Sequence, residues 1–272
     1  LSELISHLRG GTPQWAASSV QPTDASWLGP GSASMPADLG AWQEFVTRVA
    51  QRYAGQITAY EIGNEPNLRT FWSGTAEQYA QFVTSAASAI RAADPAATVL
   101  FNGGLVRSKY DIATLPKWLG PLAPAVQAGL LDAASLHYYP QATQLDEVGA
   151  NLKAMRAALA ANGFASLPTW MTEVNVRSAP TLSPQAQTAA IVGLARQMVA
   201  TGFDRAYWYA WTDMSADDLV AFQPNSSGAV ALATIAGVAA PVGPSASPSA
   251  VPQTDPSSSA VPEPPVEAAP QS

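Results

Sequence analysis

Cysteine is absent from the 272-residue chain, which excludes a disulfide framework, thiolate-ligated zinc and a cysteine nucleophile. Basic residues are scarce: 13 Lys and Arg stand against 20 Asp and Glu, a net charge of -7. That balance disfavours a phosphate backbone or an anionic membrane surface as the main partner, so no nucleic acid ligand is expected. No run of 18 apolar residues is present to cross a membrane as a helix. Only two histidines, His7 and His137, are available for metal or charge-relay chemistry. They and the scattered carboxylates lack metal-ligand spacing, and no Gly-x-Gly-x-x-Gly follows a strand, so no metal or other cofactor is expected. A Gly-x-Ser-x-Gly elbow is missing as well, which removes the common serine hydrolase arrangement. What is there is apolar: 47% hydrophobic against 12% charged residues excludes a chain disordered throughout and requires a sizeable core.

The last 32 residues, 241–272, hold nine prolines and seven serines with no basic or aromatic residue. Such a segment cannot bury enough surface to offset its ordering entropy, and it is expected to be a disordered tail or linker. The folded part is then 1–240. Within it, short segments rich in β-branched and aromatic residues alternate with longer segments of helical periodicity. Strands are expected at Ile57–Gly63, Thr98–Asn102, Ala133–Tyr139, Thr169–Val174 and Arg205–Trp211, with an earlier one somewhere in Leu4–Trp15. The five strand starts lie 41, 35, 36 and 36 residues apart, the length of a strand, a helix and two loops. Helices are expected over Ala37–Tyr53, after the capping pair Thr75 and Gln78, and from Ser183-Pro184 to about Ala200. Alternating strands and helices imply an α/β fold with a parallel sheet, closed as a (β/α)8 barrel or open and doubly wound.

Polar residues gather where these strands end, which is where a parallel barrel keeps its active site. Asn64-Glu65-Pro66-Asn67, His137-Tyr138-Tyr139-Pro140, Thr172-Glu173-Val174-Asn175 and the Trp208 to Asp213 stretch all sit at such ends. Two glutamates, Glu65 and Glu173, facing one pocket from separate strands suit glycoside hydrolysis, which needs one carboxyl as proton donor and another as nucleophile or base. Side chains two apart in a strand share a face, so His137 and Tyr139 point together and Tyr138 points away. Trp211 is the expected sugar-stacking platform, with Trp208 as packing; Trp15 and Trp72 are candidates to line subsites or simply to pack.

The chain resembles the retaining glycoside hydrolases of clan A, in particular family 39 (β-xylosidase and α-L-iduronidase relatives) and the cellulase-like family 5. The resemblance runs through Thr12-Pro13-Gln14-Trp15-Ala16, Trp42-x-x-Phe45-Val46, Arg52-Tyr53 and Tyr60-Glu61-Ile62-Gly63-Asn64-Glu65-Pro66-Asn67. It continues through Tyr79, Asp94-Pro95, Gly103-Gly104, His137-Tyr138-Tyr139-Pro140, Trp170-Met171-Thr172-Glu173 and Trp211-Thr212-Asp213. It implies a TIM barrel in which Glu65 is the acid/base, Glu173 the nucleophile, and Asn64 a contact to the sugar 2-hydroxyl. It also implies that His137 touches the acid/base and Tyr139 donates to the nucleophile. In that pattern the Asn-Glu-Pro glutamate ends a fourth strand. About six βα units fit here, so the barrel is expected to be incomplete, with the first two units missing.

A β-linked polysaccharide or oligosaccharide is the partner these readings imply, and the function expected is retaining O-glycosyl hydrolysis. The alternative is a carbohydrate-binding or surface-attachment protein on a barrel that cannot catalyse. The chain opens at Leu1 with neither an initiator methionine nor a secretory signal pattern, so a fragment or a removed segment is expected. The Pro/Ser/Ala tail fits a secreted or cell-surface bacterial enzyme.

Overall fold

A computed structural model describes residues 5–8, 11–21, 24, 27–177, 181–211, 219–224 and 226–237. The expected tail, 241–272, lies outside the described residues. Six strands form one parallel sheet in strict chain order: β1 (Ile5–Leu8), β2 (Ala59–Ile62), β3 (Thr98–Val106), β4 (Ala133–Tyr138), β5 (Thr169–Val174) and β6 (Arg205–Trp208). A doubly wound sheet reverses its strand order at a switch point, whereas this one advances in a single direction, as successive units of a barrel do. The architecture is that of an incomplete TIM barrel.

Helices connect the strands: α1 (Leu39–Arg52), α2 (Ala76–Ala93), α3 (Lys109–Leu119), α4 (Ala123–Gln127), α5 (Val148–Leu159) and α6 (Pro184–Ala200), with α7 (Ser227–Ile235) after β6. Their ends follow from local chemistry. Asp38 caps α1 by accepting from Gly40 and Ala41. Thr75 and Gln78 form the expected reciprocal capping box of α2. Ser183 accepts from Ala186 ahead of Pro184 in the first turn of α6.

Alternation in the strands sorts two faces. Tyr60, Ile62, Val99, Phe101, Ala134, Leu136, Tyr138 and Met171 join the helices in the main core. Ala59, Leu100, Ala133 and Trp170 form a smaller cluster on the opposite, inner face. Further along that inner face the buried residues turn polar: Glu61, Asn102, Ser135, His137 and Thr172. The core is aromatic beside α1 and α2, where Trp42 stacks on Phe82 with centroids 4.5 Å apart and donates its indole N–H to the Phe82 carbonyl.

Gly63 shows how tightly the top of β2 is closed. Its φ is +81°, and a Cβ there would lie 2.4 Å from the Tyr79 hydroxyl oxygen. That hydroxyl is shared between the carbonyls of Ile62 (3.1 Å) and Asn102 (2.7 Å). Burial, then the nearby Glu61, push the Tyr79 pKa far up, so it remains a donor. Gly63→Ala therefore meets both an unfavourable φ and a clash, and is expected to destabilise the fold by about 2 kcal/mol or more. Denaturant unfolding measures this, and a loss near zero would mean that Tyr79 gives way without cost.

Candidate active site

Glu65 and Glu173 reach the inner face by different routes. Glu65 follows β2 and has φ +39°, a left-handed conformation that a residue with a Cβ adopts only when its surroundings hold it there. The holding contact is Asn102 on β3. Its side-chain oxygen accepts the backbone N–H of Glu65 (3.1 Å) and of Gly104 (2.9 Å). Its amide nitrogen donates to Oε1 of Glu61 (3.1 Å). Glu61 is fully buried, and the same oxygen accepts from Thr172 (2.8 Å) and from Ser135. A polar strut thus runs from beneath the site to the backbone of Glu65.

Glu173 depends on a bulge. Simple alternation from Trp170, which faces inward, would turn Glu173 out toward the helices. Instead the pairing of β4 with β5 shifts between Leu136↔Met171 and His137↔Glu173. The extra residue is Thr172, so both Thr172 and Glu173 meet inward partners. A similar shift in β3, between Asn102 and Leu105, falls on Gly103-Gly104. The expected end of that strand at Asn102 is therefore corrected: β3 continues to Val106 through the bulge, with Gly104 at φ +125°. A Cβ on Gly104 would lie 2.8 Å from the Asn67 side-chain oxygen. Asn67 in turn bonds both backbone groups of Leu105, each at 2.8 Å.

His137 bridges the pair. Its Nδ1 lies 2.9 Å from Glu65 Oε1 and 3.4 Å from Glu173 Oε2. Tyr139 donates its hydroxyl to Glu173 Oε2 at 2.8 Å, while Tyr138 points away to Asn151 of α5 at 3.4 Å. All four site side chains are buried or nearly so. Burial pulls the His137 pKa down, but the hydrogen bond to Glu65 and the charges of Glu173, Glu61 and Glu65 prevail and leave it above 6.5. Burial, then the Glu173 charge, push the Tyr139 phenol far above its ordinary value, so it stays protonated and can donate.

This raised His137 pKa has a sign that can be tested. A group bound more tightly to its proton in the folded state adds stability below its unfolded pKa, and that contribution fades as pH rises through the folded pKa. The His137 contribution is thus full below pH 6.5 and is lost only as pH rises on through the raised folded-state pKa. The expected NMR titration of the imidazole has its midpoint above 6.5, and the corresponding fall in melting temperature disappears in His137→Gln. A midpoint at or below the ordinary value would overturn this.

One oxygen of Glu65, one of Glu173 and a His137 ring nitrogen lie within 4.8 Å of one another, the one group of three such side chains among the described residues close enough to contact a single cation. Their bonds to each other and to Tyr139 hold them in place. The glutamates open onto a cleft of about 480 Å³ lined also by Trp27, Phe71, Leu105, Arg107, Tyr139, Arg177, Tyr209 and Leu219, within the size range of small-ligand sites.

The other residues expected at the site lie elsewhere. Asn64 lines a separate cavity of about 30 Å³ with Thr12, Ser32, Ser34, Trp72 and Tyr79, and its amide has no hydrogen-bond partner there. Trp15, in a short 3-10 turn, is 88% exposed and Trp211 is 63% exposed; neither lines the cleft. Trp72 packs in the core against Tyr79 and Phe82, and Trp208 stacks on Phe222 at 5.3 Å. The aromatic wall of the cleft is Trp27, edge-on to Phe71 at 6.4 Å. No periodic pattern surrounds Trp27 in its Gly- and Pro-rich loop, so nothing in the sequence singles it out. Glu61 did leave a signal, a lone carboxylate in the apolar strand Ala59-Tyr60-Glu61-Ile62.

Solved structures share this fold. A monomeric β-xylosidase from Caulobacter crescentus CB15 superposes with a TM-score of 0.59 at 22% identity, over 75% of this chain and 44% of that one. The GH39 enzyme from Xanthomonas axonopodis pv. citri gives 0.59 at 23% identity, over 76% and 44%. A glucosidase from Croceicoccus marinus gives 0.54 at 20% identity, over 64% and 38%. The chain therefore spans less than half the length of these structures. No curated protein matches it. At these identities the likeness speaks for the fold alone, whereas the family model for cellulase (glycosyl hydrolase family 5) matches residues 20–214, more than half of the chain and the whole stretch carrying Glu65, His137, Tyr139 and Glu173. By that match, the chain belongs to the cellulase family, glycosyl hydrolase family 5.

Proposed function

We propose that the protein is a retaining O-glycosyl hydrolase acting on a β-linked polysaccharide or oligosaccharide outside the bacterial cell. The observation that carries this reading is the pair of glutamates from separate strands, with one oxygen of each no more than 4.8 Å from one of the other, on one cleft. Retaining enzymes place their carboxyl groups about 5–5.5 Å apart, inverting ones about 6.5–9.5 Å, because inversion must fit a water between carboxyl and sugar. Close spacing favours direct attack.

The contacts also divide the roles. Tyr139 donates its hydroxyl to Glu173, a contact that suits an ionised acceptor and hence a nucleophile. Glu173 attacks the anomeric carbon while Glu65 gives its proton to the departing glycosidic oxygen. The product is a glycosyl ester of Glu173. Glu65, now a carboxylate, takes a proton from water as that water attacks the same carbon, which frees the sugar and restores both groups. His137 exchanges hydrogen bonds with both glutamates and holds them in register through the two steps.

Following an aryl β-glycoside by proton NMR tests the reading: the first sugar released is expected to be the β-anomer. Release of the α-anomer would replace double displacement by inversion. Absence of turnover, with sugar binding retained, would leave a carbohydrate-binding protein.

A further inference from the structure

Two arginines stand on the cleft that holds the glutamates, and neither is spent on them. Arg107 follows β3, and Arg177 follows β5. Arg107 lies 3.5 Å from Asp111, whose carboxylate also accepts the backbone N–H of Arg107 and Ser108 at the start of α3. Arg177 has no ion-pair partner among the described residues, and its backbone is clamped to the rim. Its N–H donates to the Pro140 carbonyl (2.9 Å), and its carbonyl accepts from Ala142 (2.9 Å). The glutamates take their polar contacts from His137 and Tyr139 instead.

Strand order fixes where these groups lie around the crescent. The aromatic residues Trp27 and Phe71 come from the loops after β1 and β2, whereas the arginines flank β4, which supplies His137 and leads to Tyr139. A neutral sugar would use the aromatic side and leave Arg177 in the cleft with no ion-pair partner among the described residues, Arg107 already standing beside Asp111. An anionic sugar entering without them would be repelled by the catalytic carboxylates. Guanidinium groups bind carboxylate and sulfate oxygens through paired N–H donors, so a fixed arginine on each side of β4 matches a charged substituent on the ring bound there.

We propose that the cleft selects a sugar bearing an acidic group, a uronate carboxylate or a sulfate ester, with Arg177 as its main contact and Arg107 in support. The inference rests on the glycosidase reading for its reaction but concerns recognition. The test compares 4-nitrophenyl β-D-glucuronide, 4-nitrophenyl β-D-glucoside 6-sulfate and 4-nitrophenyl β-D-glucoside as substrates of the full chain. Calorimetry on the corresponding methyl glycosides runs in parallel. An acidic ligand is expected to be preferred by about 10- to 100-fold, the range of a charge-assisted hydrogen bond. Arg177→Ala should bring the acidic-to-neutral ratio close to one, and Arg177→Lys should restore part of it. Preference for the glucuronide marks a uronate, and for the sulfate an ester. Equal or better binding of the neutral glycoside, a ratio unmoved by Arg177→Ala, or no binding of any ligand overturns the inference. Neutral turnover would then leave the hydrolase reading standing; selective acidic binding with no turnover would remove the hydrolase and keep the recognition.

Discussion

Glu173→Gln is expected to lower turnover of an aryl β-glycoside by about 10⁴-fold or more, the scale seen when one member of a catalytic unit is removed. The amide keeps the size of the carboxylate and can still accept the Tyr139 hydroxyl, which lies 2.8 Å from Glu173 Oε2. Binding and folding should therefore change little, and the loss should fall on kcat. In the proposed mechanism Glu65→Gln behaves differently. Its proton matters only when the leaving oxygen needs one, so a poor leaving group should lose about 10²- to 10⁴-fold, whereas a dinitrophenyl glycoside should still form the glycosyl-enzyme. Because the proposed mechanism gives the same residue the task of activating water, that intermediate should accumulate, visible as a burst and as a mass increase on Glu173. Residual activity of Glu173→Gln within tenfold of the parent would remove it as nucleophile. A Glu65→Gln loss independent of leaving group would remove Glu65 as the acid.

Much of this was legible because local rules and global fold agree. The regular spacing of β3 to β6 and the caps at Thr75 and Ser183 are short-range signals, and the helices begin at those caps. Period-two reasoning also separated Tyr138, which reaches Asn151, from His137 and Tyr139. The site was less legible where the chain breaks its own alternation. Thr172 and Gly103-Gly104 are bulges, and each returns the next polar or cleft residue to the inner face. A bulge has no period to read, only the outcome that Glu173 points where alternation says it should not.

The loops were harder still. Trp15 and Trp211 carry the large aromatic faces that sugar binding favours, yet neither lines the cleft, and Trp27 does. Which loop tryptophan meets the glutamates depends on how residues 27–36 fold back on the loop after β2. There Ser73 donates both its backbone N–H (2.7 Å) and its hydroxyl (3.1 Å) to the Ala33 carbonyl. Such contacts between distant segments leave no periodic trace. Asn64 illustrates the same limit from the other side: it adjoins Glu65 in sequence, but the left-handed turn at Glu65 sends neighbouring side chains to different cavities.

The strut beneath Glu65 leads to the second large effect. Glu61→Ala is expected to destabilise the protein by about 3 kcal/mol or more, because several buried donors lose their shared acceptor. Oε1 of Glu61 accepts from Asn102, Ser135 and Thr172, on three different strands. Truncation leaves those donors buried with their common acceptor gone, at about 1–3 kcal/mol for each donor that finds no other partner. Ser135 retains the Phe101 carbonyl at 2.9 Å, and donors in one network do not add, so the expected total stays below the simple sum. Against a typical stability of about 5–15 kcal/mol, the variant should melt well below the parent. Glu61→Gln separates folding from function, since its amide oxygen can take the same three donors and should cost less. Asn102→Ala then isolates the upper half of the strut. It removes the acceptor of the Glu65 N–H, frees a backbone held at φ +39°, and should lower kcat with little change in KM in a variant that is still folded. Glu61→Ala melting within about 1 kcal/mol of the parent would mean that the three donors are satisfied by water, and a normal kcat in Asn102→Ala would mean that Glu65 keeps its turn without the strut.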